Sequence, residues 1–216
     1  TLPEWWSQRR ERAVAGRFPA DVDRVLELGC GVGVLLDRLA GRYEAVGVDD
    51  RLPRLRFAAA RGGAVAHGRP TAPPVRNRFD GVCAAEYATA RAAVVDLCVA
   101  AYAALRPGGV AVVVAPTEAS GVAESGVGTL TDSRYRLERA VDVASTNTVG
   151  VDYRVTDRRT GTTAVTTERR RVETTTADGL TAAFRTAGFE DVVVSGGGDR
   201  SSIVIGVGAR PVETGP

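Results

Sequence analysis

The residues best suited to chemistry are two acidic side chains that flank a glycine-rich stretch. Glu27 lies in an apolar run and is followed by three alternating glycines, Gly29, Gly31 and Gly33, and Asp49 ends a second apolar run. Glycine allows positive φ and leaves the backbone open to a ligand. A carboxylate about 20 residues beyond such glycines can accept both hydroxyls of a ribose. The spacing therefore indicates a nucleoside ligand.

The flanking residues predict the elements that position this loop. The apolar run 25–28 has the length and composition of a buried strand, and the apolar residues after Gly33 recur at helical spacing through Ala40. The start of that helix offers free backbone N–H groups to a polar ligand. A second strand over 45–48 leads to Asp49 and Asp50. We therefore predict a strand, loop, helix and strand unit around the ligand.

Two protein families use such a loop, and they differ in their glycines. The dinucleotide fingerprint requires a final glycine where this chain has Val34, which disfavours an NAD-linked oxidoreductase. The run 27–33, Glu-Leu-Gly-Cys-Gly-Val-Gly, instead resembles the first motif of class I S-adenosylmethionine-dependent methyltransferases. The resemblance implies that the loop holds the methionine end of the cofactor, that Glu27 orients its ammonium group and that Asp49 takes the ribose.

The stretch 67–75 is similar to the exit of the third strand in that family, where a Gly-Asp-Ala run precedes Leu-Pro. Gly68 and Pro74 agree with the pattern. Arg69 replaces the acid that accepts from the adenine amino group, and Pro70 replaces a residue whose backbone N–H donates to the ring. Either adenine is held by shape and stacking, or this cofactor site is in decline. The cofactor-binding residues implied by the resemblance are Glu27, Gly29, Cys30, Gly31, Gly33, Asp49, Asp50, Gly68, Arg69 and Ala85.

Candidate residues for the methyl acceptor follow the predicted fourth strand, 79–85. Glu86 and Tyr87 come directly after it, and ligands of open α/β sheets bind outside the carboxyl ends of the strands. The alternative is an exposed loop acid beside a half-buried aromatic. His67, the only histidine, is a candidate general base, although a loop or adenine-edge contact is the favoured role for this imidazole. Glu86, Tyr87 and His67 are the predicted catalytic residues.

The remaining pattern predicts one domain, 1–216, with a Rossmann-like α/β fold. We expect a seven-stranded, mostly parallel sheet with helices on both faces, and a turn at 106–109 that ends a helix before the fifth strand, 110–115. Residues 1–20, with Trp5 and Trp6, form a predicted N-terminal helix or lid.

An insertion is predicted after the fifth strand. Residues 116–132 are expected to form a loop, and 133–173 to form a three-stranded antiparallel meander, because threonine- and valine-rich runs alternate around the turn 157–161. The meander resembles the inserted sheet of small-molecule N-methyltransferases, including glycine-type enzymes and those acting on amino sugars. Because three strands with one apolar face need something to pack on, we expect the meander to cover the acceptor pocket or to form a homodimer.

Composition excludes several classes of function. The net charge is +2, and all 28 basic residues are arginines, a skew typical of GC-rich coding. The arginine cluster at 158–171 has no interleaved aromatic residues, so nucleic-acid binding is not expected. The three cysteines lack metal-ligand spacing, and no stretch is apolar enough for a membrane span or a signal peptide, so we expect no metal, no membrane contact and a cytoplasmic location.

The sequence thus predicts methyl transfer from S-adenosylmethionine to a small-molecule acceptor. An amine is favoured over a hydroxyl, because a hydroxyl needs a stronger base than the chain offers near the site. The alternative is a catalytically silent domain with the same fold that binds a partner or another nucleoside.

Overall fold

The computed structural model describes residues 13–14, 16–85, 92–117, 126–131, 133–145, 148–196 and 203–212. Most of the predicted N-terminal helix, with Trp5 and Trp6, lies outside these ranges. Val14 and Phe18, from the end of that segment, are buried against one face of the main sheet.

Seven strands form the main sheet, as predicted. They are β1 Arg24–Leu28, β2 Glu44–Asp49, β3 Ala64–His67, β4 Phe79–Ala84, β5 Leu105–Pro116, β10 Glu190–Gly196 and β11 Ile203–Ala209. The strand order is β10-β11-β5-β4-β1-β2-β3. β11 runs in the direction opposite to that of the other six strands of this sheet, which are parallel to one another. The carboxyl ends of β1 to β5 therefore meet at one edge, where the predicted site lies.

Within the described ranges, four named helices cover the two faces of this sheet. They are α1 Val34–Ala40, α2 Leu52–Ala60, α3 Val94–Ala104 and α4 Ala177–Ala187. On one face, Leu36 of α1 and Leu55 of α2 pack with Val25 of β1. On the other face, Leu97 of α3 and Phe184 of α4 pack together in a second apolar cluster. Since both faces of the parallel strands are covered, those strands are almost continuously apolar.

The start of β5 differs from the prediction. The strand begins at Leu105, directly after α3, and not at residue 110. Its pairing with β4 shifts from Phe79–Leu105 to Gly81–Val110, so residues 106–109 bulge from the ladder instead of forming a separate turn.

The inserted sheet has four strands, so the predicted three-stranded meander is corrected. They are β6 Gly126–Thr131, β7 Tyr135–Ser145, β8 Thr148–Asp157 and β9 Thr163–Arg171, paired antiparallel in this order. The missed strand, β6, lies within the stretch predicted as a loop. Two glycines in its sequence, Gly-Val-Gly-Thr-Leu-Thr, disfavour a strand, and backbone pairing with β7 overrides that preference.

The inserted sheet is buried at one end only. Val141, Val149, Val151 and Val172 form a small apolar cluster, whereas Tyr135 and Val155 towards the other end are exposed. No helix in the described part of the chain is long and apolar enough to cross a membrane.

Candidate functional site

The glycine loop joins the carboxyl end of β1 to α1. Gly29, Gly31 and Gly33 all have positive φ, at 74°, 56° and 78°. The backbone N–H groups of Gly29 and Cys30 both donate to the carbonyl oxygen of Val48, at 2.7 and 3.0 Å. These bonds tie the loop to β2 and fix its position between the two strand ends.

Two of these glycines serve different purposes. A Cβ added at Gly33 would lie 2.8 Å from the Cβ of Ala58, so this glycine lets α1 approach α2 closely. A Cβ added at Gly31 would meet no atom within 4 Å. The backbone at Gly31 therefore borders open space at the strand ends, which is the space a bound cofactor needs.

Asp49 lies at the end of β2 and is only 1% exposed. Its Oδ2 accepts a hydrogen bond from the N–H of Gly31 at 3.0 Å, and its Oδ1 accepts from the N–H of Arg51 at 2.9 Å. No ion pair is formed by Asp49 within the described ranges. The structure thus places a buried carboxylate beside the open backbone of Gly31, and within the described ranges only backbone N–H groups donate to it.

Glu27 brings a second buried carboxylate to the same strand ends. Its side chain is 4% exposed, and it pairs in register with Gly47 of β2 and Cys83 of β4. Burial raises the pKa of Cys30 well above its usual value, and the negative charges of Glu27 and Asp49 raise that pKa further. The region around the loop is therefore electronegative and suits a ligand that carries positive charge.

His67 is the last residue of β3 and pairs in register with Asp49. Its Nε2 lies 3.1 Å from the carbonyl oxygen of Asp50. Because a carbonyl only accepts, this contact requires Nε2 to carry the proton. His67 therefore lies on the β2–β3 side of the loop, beside Asp49 and Asp50.

A short turn follows His67 at the position of the predicted adenine contacts. The N–H of Gly68 donates to the carbonyl of Asp49 at 3.1 Å, and the N–H of Ala72 donates to the carbonyl of Arg69 at 3.0 Å. A Cβ on Gly68 would lie 2.8 Å from Cδ of Pro74, so glycine is required for this close turn. Arg69 and Pro70 thus stand at the edge of the site, within a defined turn.

The ends of β1, β2 and β3 bring together the predicted cofactor residues from Glu27 to Arg69. Ala85 follows β4 and is buried on the α1 face. His67 is separated from β4 by three strand spacings, about 14 Å, and Glu86 and Tyr87 lie outside the described residues.

A cavity of about 370 Å³ lies further along the same edge, and sequence reasoning missed it. Its walls include Ala93 before α3, Ala115 at the end of β5, residues 173–175 after β9, and Ala182 and Thr186 of α4. Small side chains at helical spacing are ordinary packing residues, so no sequence motif announces the cavity. Among the described residues, no group of three or more His, Cys, Asp or Glu side chains could hold a metal ion.

The family model that describes the methyltransferase domain matches residues 2–194 of the chain. That range includes the glycine loop, both buried carboxylates and the inserted sheet. No curated protein matches the chain by sequence.

Solved structures resemble the chain over nearly its whole length. DesVI from Streptomyces venezuelae has a TM-score of 0.75 at 18% identity, covering 95% of this chain and 90% of its own. KedS8, a sugar N-methyltransferase from Streptoalloteichus, has a TM-score of 0.70 at 21% identity, with coverages of 96% and 86%. CalS10, an amino pentose methyltransferase from Micromonospora echinaspora whose structure contains S-adenosylmethionine, has a TM-score of 0.66 at 21% identity, with coverages of 96% and 89%.

Proposed function

The chain belongs to the methyltransferase domain family, and we propose that it transfers the methyl group of S-adenosylmethionine to nitrogen of a small-molecule acceptor. The observation that carries this proposal is the pair of buried carboxylates, Glu27 and Asp49, beside the open backbone of Gly31. S-adenosylmethionine carries two positive groups, the sulfonium and the ammonium, and a ribose with two free hydroxyls. Each of these matches a group that the loop region offers.

The residues divide the binding task between them. Glu27 orients the ammonium, Asp49 accepts from the ribose hydroxyls, and Gly29, Cys30, Gly31 and Gly33 shape the loop around the methionine end. The bound cofactor supplies a methyl group already activated by positive sulfur. The chain therefore has to align the acceptor with that methyl group and exclude water, and both can be done without covalent chemistry.

Nitrogen is favoured over oxygen by the position of the histidine. Methylation of a hydroxyl needs a base that removes its proton, whereas a neutral amine already has a nucleophilic lone pair. His67 lies about 14 Å from β4, and its Nε2 is engaged by the carbonyl of Asp50. We therefore assign His67 to the adenine edge and leave Glu86 and Tyr87 as the acceptor-orienting residues. The similarity to KedS8, a sugar N-methyltransferase, supports the same choice, and CalS10 acts on an amino pentose.

A second candidate function rests on Arg69 and Pro70. Where the family has an acceptor and a backbone donor for adenine, this chain has a cation and a residue without an N–H. A catalytically silent domain that binds a partner or another nucleoside is the function that this departure favours.

Calorimetric titration with S-adenosylmethionine, S-adenosylhomocysteine and NAD separates these functions. We expect saturable heat with the first two ligands and none with NAD. Release of S-adenosylhomocysteine in the presence of an amine then distinguishes an enzyme from a silent domain. Heat with NAD alone, or with none of the three, contradicts the proposed function.

We also propose that the inserted sheet forms a homodimer. Tyr153 and Val155 continue the apolar face of β8 beyond the buried cluster of Val149 and Val151, and Val155 is 38% exposed. Sedimentation of the wild type and of Val155→Asp tests this arrangement. A dimer that becomes monomeric in the variant supports it, and a monomeric wild type contradicts it.

A further inference from the structure

The cavity between α3 and α4 lies at the same edge of the sheet as the glycine loop. Ala115 lines it from the end of β5, and β5 is separated from β1 by β4 alone. Two strand spacings amount to about 10 Å. A ligand at the glycine loop and a molecule in the cavity would therefore occupy neighbouring positions along one edge of the sheet, on either side of β4.

Backbone hydrogen bonds fix the walls of this cavity. The N–H of Thr175 donates to the carbonyl of Pro116 at 2.9 Å, which anchors the segment after β9 to the end of β5. Thr176 caps α4, since its Oγ1 accepts from the N–H of Gly179 at 3.1 Å. A Cβ on Gly179 would lie 2.6 Å from Oγ1 of Thr175, so this wall is closely packed. The cavity is thus bounded by a defined loop and a capped helix.

The volume remains open because the walls carry small side chains. Alanine occupies positions 93, 115 and 182, which come from three different elements. At about 370 Å³ the cavity falls within the usual range for small-molecule sites, about 300–1,000 Å³. It has room for a single small ring with its substituents.

Among the described residues that line the cavity, the polar side chains are one carboxylate and several hydroxyls. Glu173 is the one charged residue of this described set, and Thr174, Thr175 and Thr186 add hydroxyl groups. No ion pair involves Glu173 in the part of the chain that the structure describes. A carboxylate that forms no ion pair with the described residues, in a pocket that threonines also line, suits a ligand that carries both an ammonium group and hydroxyl groups.

We infer that this cavity binds the methyl acceptor and that Glu173 selects an amine by pairing with its ammonium group. The threonine hydroxyls bind the acceptor's hydroxyl groups, so the substrate class is a small polyhydroxylated amine. This inference rests on the proposed function, since a methyl acceptor requires a methyl donor. Glu173 acts in recognition, and loss of the amine's proton to water precedes attack on the methyl carbon. The nitrogen lone pair then forms the N–C bond, and the electron pair of the broken C–S bond stays on sulfur.

Glucosamine and glucose are a matched pair of probes for this site, because they differ only in an amine and a hydroxyl at one carbon. The protein is saturated with S-adenosylhomocysteine, and the backbone amide signals of Gly179, Ala182 and Thr186 are followed by NMR as each sugar is added. We expect saturable shifts with glucosamine and at least fivefold weaker binding of glucose. Glu173→Gln should remove that preference, and Ala182→Leu, which fills the cavity and favours a helix, should weaken both sugars.

The control variant is Glu190→Gln, because Glu190 is an exposed glutamate at the start of β10, beyond the other end of α4. It should keep the glucosamine preference, and all three variants should bind S-adenosylhomocysteine like the wild type. Absence of saturable shifts, equal binding of the two sugars, or an equal loss in Glu190→Gln overturns the assignment. If S-adenosylhomocysteine itself gives no heat, the proposed function fails, and the sugar titration of the free protein still decides whether the cavity selects an amine.

Discussion

Two buried aspartates lie at opposite ends of the strands of the main sheet. Both accept hydrogen bonds from backbone N–H groups, but their surroundings differ. Asp49 at the carboxyl end of β2 accepts from the N–H groups of Gly31 and Arg51. Asp80 at the amino end of β4 accepts from the N–H groups of Asp23 and Arg24, at 3.1 and 2.9 Å. Both side chains are at most 5% exposed.

The difference between them is a guanidinium group. Nε of Arg106 lies 2.9 Å from Oδ1 of Asp80, whereas no arginine forms an ion pair with Asp49 in the described ranges. Asp80 has its negative charge balanced within the fold, and its two backbone partners tie β1 to β4. Among the described residues, Asp49 has no such cation and lies beside the open backbone of Gly31. The comparison therefore suggests two uses of a buried carboxylate: one paired with a cation that holds the fold together, and one that we propose binds a ligand.

The largest effect in this comparison is expected at the amino edge. Asp80→Ala removes the acceptor of two buried backbone N–H groups and the partner of Arg106. We expect the free energy of unfolding to fall by about 3–4 kcal/mol, because buried donors left unsatisfied are costly. Urea unfolding measures the change. Native protein that remains should bind S-adenosylhomocysteine with unchanged affinity, and a stability within about 1 kcal/mol of wild type would contradict this role for Asp80.

The second effect is expected at the carboxyl edge and in binding. Asp49→Ala removes the acceptor for the ribose hydroxyls and should weaken S-adenosylhomocysteine binding by about 1.5–3 kcal/mol, the contribution of a charge-assisted hydrogen bond. Calorimetry of Asp49→Ala and of the neighbouring Asp50→Ala gives the matched comparison. Wild-type affinity in Asp49→Ala together with a loss of affinity in Asp50→Ala would show that Asp50, and not Asp49, accepts from the ribose hydroxyls.

Sequence alone predicted the parts of the molecule that depend on local chemistry. Three alternating glycines followed about 20 residues later by an acid at the end of a strand form a specific pattern. Few structures other than a nucleoside-binding loop need both features. The structure places the glycine loop after β1 and Asp49 at the end of β2, where Asp49 accepts a hydrogen bond from the N–H of Gly31. Their ligand-binding roles stay predictions. The seven-stranded sheet was also predicted, because apolar runs typical of strands alternate along the chain with segments whose apolar residues recur at helical spacing.

The features that were missed depend on contacts between distant segments. β6 is a strand because β7 pairs with it, although its two glycines disfavour a strand. The cavity exists because Ala93, Ala115 and Ala182, which are far apart in sequence, line one volume. Asp80 belongs to the same group, since nothing near it in sequence indicates that Arg106 balances its charge.

The third prediction concerns the adenine contacts next to the ribose site, where Arg69 and Pro70 differ from the family pattern. Arg69→Asp together with Pro70→Ala restores an acceptor and a backbone donor for adenine beside Asp49. We expect S-adenosylmethionine to bind about 1–2 kcal/mol more tightly, the net contribution of one or two hydrogen bonds. In the wild type, ligands with an altered adenine amino group should bind nearly as well as the parent, because a site without paired polar groups rejects analogues weakly. No heat with either protein would favour the silent domain.

The smallest effect is expected at a third aspartate, Asp157, which lies at the surface of the inserted sheet. Its carboxylate has both a backbone N–H donor and an arginine partner. Asp157 accepts from the N–H of Arg159 two residues later at 2.9 Å, as Asp49 does from Arg51, and it pairs with Arg134 at 3.2 Å, as Asp80 does with Arg106. The N–H of Arg159 and, less strongly, the guanidinium of Arg134 lower the pKa of Asp157 below its ordinary value of 3.8.

Because the pKa is lower in the folded hairpin, these contacts stabilise the turn fully above about pH 4, and the stabilisation is lost as pH falls through the folded pKa. Solvent screens the charges, so we expect the turn amides of Arg159 and Gly161 to exchange faster in acid without a change in global stability. NMR titration of the carboxyl carbon measures the pKa, and Asp157→Asn should remove the pH dependence of the exchange. A pKa at or above 3.8 would mean that such partners have no effect in water, and that burial alone distinguishes Asp49 and Asp80 from Asp157.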